Sequence, residues 1–77
     1  MRTIITVVEY PSMPGRYLVK SDANSRDRYN KPRDVWGAGA AAAAAMEYAQ
    51  ISGSIGYQIF APENVMDMIP VDMRGRP

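Results

Sequence analysis

Arg26, Arg28, Tyr29, Lys31 and Arg33 crowd into one short stretch, and Trp36 follows. Arginine pairs bidentately with phosphate or carboxylate, and an aromatic ring beside it can stack on a base. The same residues suit a protein interface, where Arg, Tyr and Trp carry much of the binding energy. Arg16 and Lys20 extend the patch, so residues 16–33 hold six cations (those two with Arg26, Arg28, Lys31 and Arg33) against two anions, Asp22 and Asp27. Residues 61–72 reverse the sign, with Glu63, Asp67 and Asp72 and no cation. A chain that is electrically two-sided is suited to oriented docking on another macromolecule. Solvated loops are also charged for no further reason. Trp36, the lone tryptophan of a small domain, is expected to fold inward as core.

No catalytic constellation accompanies the patch. The chain has no Cys and no His, which removes the usual nucleophile–base pairs and leaves only carboxylates as metal ligands. The serines have no lysine in a recognisable arrangement. Glu9, Glu47, Glu63, Asp67 and Asp72 read as solvated acids, since nothing in their spacing pairs them for acid–base work. Gly37-Ala38-Gly39 lacks the third glycine of a dinucleotide fingerprint. The expectation is a protein that is not an enzyme, with no catalytic, cofactor-binding or metal-binding residues and no cofactor.

The elements that must position the patch are short. Thr3–Tyr10 is almost wholly β-branched and aromatic, hence a strand, with aliphatic residues on both of its faces. Pro11-Ser12-Met13-Pro14-Gly15 is turn chemistry, and Arg16–Ser21 resumes as a second strand, closing an antiparallel hairpin. Gly37–Gln50 contains eight alanines, the residue that loses least on entering a helix. Asp34 is the expected N-cap, although Gly37 and Gly39 move the stable start towards Ala38. Ala42, Ala45, Met46 and Ala49 form the expected buried stripe, with Ala41, Ala44 and Tyr48 beside it. Ser52-Gly53 stops the helix. Ile55–Ala61 reads as a third strand, ended by Pro62. Met66–Val71 is a candidate short edge strand, and residues 74–77 a frayed tail.

These elements describe an α+β domain in the order β-β-α-β. A small antiparallel sheet of three strands, with a short fourth as an option, carries one Ala-rich helix across a face. With 77 residues it is a single domain: hairpin 1–21, basic loop 22–33, helix 34–52, strand 55–61, and C-terminal arm and tail 62–77. One helix covers one face only. The C-terminal arm, with its methionines, is expected over the other, and a second copy is the alternative. A monomer is favoured over a homodimer. The net charge of +1 argues against strong nonspecific nucleic-acid binding. Met1-Arg2 leads directly into a β-like run, not a long apolar segment, so no signal peptide is expected, and the alanine run is too weakly apolar to span a bilayer.

In size, in lack of catalytic residues and in compact α+β layout, the chain resembles the small phage-encoded anti-CRISPR proteins. No motif carries the resemblance, and the positive charge departs from the members that mimic DNA by being acidic. The resemblance implies a cytoplasmic inhibitor in an infected bacterium, a protein-binding module that occupies the surface of a CRISPR nucleoprotein complex. Arg16, Lys20, Arg26, Arg28, Tyr29, Lys31 and Arg33 are the expected partner-binding residues. The alternative is a small DNA- or RNA-binding protein using the same basic-aromatic loop.

Overall fold

In the computed structural model, residues 3–22, 32–51 and 56–76 are described. The first strand, β1 (Thr3–Glu9), alternates as its β-branched run demands, with Thr3, Ile5 and Val7 buried. Gly15, at φ +90°, closes the turn, and its N–H donates to Glu9 Oε2 at 2.9 Å. The chain returns as β2 (Arg16–Ser21), antiparallel to β1 with Val7 opposite Val19 and Glu9 opposite Tyr17.

The segment expected as the helix start is a strand. β3 (Arg33–Trp36) pairs antiparallel with the outer edge of β2, setting Val35 opposite Tyr17 and Trp36 opposite Arg16. Asp34 is therefore not an N-cap. Pro32 and Gly37 bound a four-residue run whose Val and Trp favour extended backbone, and the free edge of β2 supplies partners for it. Gly37, at φ +93°, reverses the chain, and its N–H bonds to the carbonyl of Gly15 at 2.7 Å. The helix α1 (Ala38–Ile51) begins immediately afterwards. Its expected stop at Ser52-Gly53 lies outside the described residues.

The helix carries the chain back across the sheet, so β4 (Tyr57–Phe60) runs parallel to β1, with Ile5 beside Ile59. The sheet is thus mixed, not wholly antiparallel, because a helical crossover returns a strand in its original direction. Met66–Val71 forms no strand. A short helix, α2 (Glu63–Met66), and a 3-10 turn at Val71–Met73 occupy that region. The edge strand comes later, where a frayed tail is expected: β5 (Gly75–Arg76) pairs antiparallel with β4. The strand order is β3-β2-β1-β4-β5. The architecture is α+β, a small, mostly antiparallel sheet with one main helix packed across it, as the sequence implies.

All core residues lie between the sheet and the helical layer. Ile5, Val7, Tyr17, Val19 and Ile59 meet Ala41, Ala42, Ala44, Ala45, Tyr48 and Ala49 of α1. Both expected helical stripes are buried, apart from half-buried Met46. Val65 and Ile69 of the C-terminal arm join the same core, and Asn64 Nδ2 donates to the buried Tyr17 hydroxyl at 2.7 Å. The arm therefore packs beside α1, not over the opposite face of the sheet. Alanine side chains cover little width, and the arm's larger residues fill what they leave. The described residues form two layers and no third, in keeping with a shortest dimension of 15 Å.

Candidate binding face

Side chains alternate across a strand, so each residue next to a core residue points to the uncovered side of the sheet. On β1 these are Ile4, Thr6 and Val8; on β2, Arg16, Leu18 and Lys20; on β3, Asp34 and Trp36; on β4, Gln58 and Phe60. The register sets Val8 beside Leu18 and Leu18 beside Asp34. It also sets Lys20, Thr6 and Phe60 in one row. An apolar diagonal results, from Trp36 through Leu18 and Val8 to Phe60. Trp36 is 65% exposed, Phe60 53% and Val8 47%. Trp36 is thus not core. Register with Arg16 places it on the side α1 does not reach.

One ionic cluster lies at the Trp36 end of the diagonal. Arg16 Nε donates to Asp34 Oδ1 at 2.8 Å, and a second guanidinium N–H donates to Asp34 Oδ2, making a bidentate pair. The guanidinium lies 4.6 Å from the Tyr10 ring centroid, and the Tyr10 hydroxyl donates to Asp34 Oδ2 at 3.4 Å. The hydrogen bonds from Arg16, together with its charge, hold the Asp34 carboxyl below the usual carboxylate range. In return Asp34 raises the Arg16 pKa. The cluster neutralises itself, which leaves Lys20 as the cation on this face with no ion pair among the described residues.

Of the expected basic patch, the described members Arg16, Lys20 and Arg33 do not share one face. Arg16 and Lys20 are on the open face, but Arg33 is opposite Val19 and turns to the helix side. There it pairs with Glu47 of α1 and lies 5.4 Å from the Tyr48 ring centroid. Burial pushes the Tyr48 hydroxyl up, partly offset by the Arg33 charge. Arg26, Arg28, Tyr29 and Lys31 lie outside the described residues. Conversely, Val8, Leu18, Trp36 and Phe60 are not among the expected binding residues. The signal for them is present in the sequence as apolar residues at both parities of β1, with a single long helix to cover them.

Among the described residues no three Cys, His, Asp or Glu side chains converge as a metal-binding group. Among the described residues no helix is long and apolar enough to cross a membrane. No protein-family model matches the chain, and no curated protein matches its sequence significantly.

Proposed function

We propose that this chain is a non-enzymatic protein-binding module that docks through the open face of its sheet. The observation that supports it is a sheet face that no layer of the described residues covers, with an apolar diagonal at its centre. Exposed apolar patches framed by polar groups mark interaction surfaces. Trp36 and Phe60 are the anchors, Val8 and Leu18 the floor, and the Arg16–Asp34 pair a neutral rim that costs little to cover. The partner class, taken from the resemblance alone, is a bacterial CRISPR nucleoprotein complex, met in the cytoplasm of an infected cell. Docking takes one chain per site.

Nucleic-acid binding through the basic loop ranks second. Arg16 and Arg33 are spent on Asp34 and Glu47, and Asp34 sits where a phosphate would be repelled. The two readings separate in one experiment. Wild-type chain, Trp36→Ala and Phe60→Ser are immobilised and offered purified CRISPR complexes and generic oligonucleotides over a salt series. The expected result is retention of a complex at moderate salt, weakened at least about tenfold by either substitution, since an anchoring aromatic is worth about 2 kcal/mol or more. Retention that is indifferent to both substitutions, or steeply salt-dependent capture of oligonucleotides alone, overturns the proposal.

A further inference from the structure

The open face has the layout and the charge placement to take a second copy of itself. We infer that, without its target, the chain is a two-fold dimer with the two open faces packed together; this rests on the face being a docking surface, as proposed above. A monomer, favoured from sequence, leaves that face in water, because the arm expected over it lies beside α1.

The layout is self-complementary. Trp36 stands one strand outward from Leu18 and two residues along. Phe60 stands one strand outward from Val8 and two residues along in the opposite sense. The two aromatics are roughly 20 Å apart by strand spacing and equidistant from the Val8–Leu18 pair. A two-fold axis in the plane of the face, passing between Val8 and Leu18 and perpendicular to the Trp36–Phe60 line, sets Trp36 of each copy on Phe60 of the other. Val8 and Leu18 then meet their own copies at the axis. The strands of the two sheets cross near a right angle, one of the two common sheet packings. The same rotation carries Lys20 towards Asp34 of the second copy, so the cation left over on one chain meets an acceptor on the other. A nucleic acid gains nothing from the aliphatic centre of this face. A second copy does.

The test uses pure chain, so its outcome is independent of any target. Light scattering from micromolar to millimolar concentration is expected to report twice the chain mass. Val8→Lys, at the axis, and Phe60→Ser, at the end of the diagonal, should each halve it with the far-UV circular dichroism unchanged, since both side chains are already exposed in the single chain. The chain has no cysteine, so Val8→Cys should form a disulfide-linked dimer on mild oxidation. Val71→Cys, 77% exposed on the arm, should not. A monomer throughout, a dimer that survives both Val8→Lys and Phe60→Ser, equal cross-linking at the two cysteines, or masses that grow beyond two copies would each overturn the inference. A wild-type chain that stays monomeric yet captures a CRISPR complex defeats this inference alone; a wild-type dimer that captures none defeats the proposed function alone.

Discussion

The two faces of the sheet are made from the same strands and each carries large apolar residues, yet those residues meet opposite fates. Towards α1, Ile5, Val19 and Ile59 are wholly buried, and Val7 and Tyr17 nearly so. On the other side Val8, Phe60 and Trp36 stand about half exposed or more. Side-chain hydrophobicity does not distinguish the two sets. What distinguishes them is the supply of covering material. α1 and the C-terminal arm are the only layers over the sheet among the described residues, and both go to one side. An alanine helix approaches the sheet closely but is narrow, so the arm's Val65 and Ile69 complete its layer and none of the arm is left for the other.

Neighbours on β4 give the largest test of that contrast. Ile59→Ala, on the covered face, should cost about 2–5 kcal/mol, the transfer term plus the cavity. Phe60→Ser, one residue later, should change the stability of the single chain by no more than about 0.5 kcal/mol. Urea midpoints at a concentration where the chain is monomeric measure both. Equal losses would break the distinction between a built core and a bare face.

Overpacking comes next in size. Ala45 is completely buried beneath α1, and Ala45→Leu should cost about 1–3 kcal/mol because the extra volume pushes the helix off the sheet. A thermal midpoint unchanged by this substitution would mean that the helix sits loosely on its face.

The smallest effects are those of pH, and they assign one limb to each face. Asp34 on the open face has a lowered carboxyl pKa, caused first by the Arg16 hydrogen bonds. Its contribution is present above the ordinary carboxylate range and is lost as pH falls through the lowered value. Asp34→Asn should flatten that part of the acid limb. Tyr48 on the covered face has a raised hydroxyl pKa, caused first by burial. Its contribution is complete below about pH 10, the ordinary tyrosine value, and is lost as pH rises through the raised one. Tyr48→Phe should flatten the alkaline limb. Stability-against-pH curves for the two variants check the assignment, and an exchange of limbs would refute it.

Local chemistry determined much of this molecule directly. The β-branched run at the start, the Pro-Gly turn and the alanine helix are dictated by conformational preferences that act over a few residues, so they are legible in order. The helical stripes were legible too, because a 3.6-residue period ties position to face. The strand at Arg33–Trp36 was not, since four residues following a proline carry no period, and their state depends on the edge of β2. The same holds for the parallel placement of β4 and for the two-residue β5, which are pairings between distant segments. The site divides in the same way. That apolar residues lie on both sides of β1 is written in the sequence, whereas the scattering of Arg16 and Arg33 to opposite faces follows from a register only the assembled sheet defines. Which face remains bare was decided last, by a narrow helix that left room beside it for the C-terminal arm.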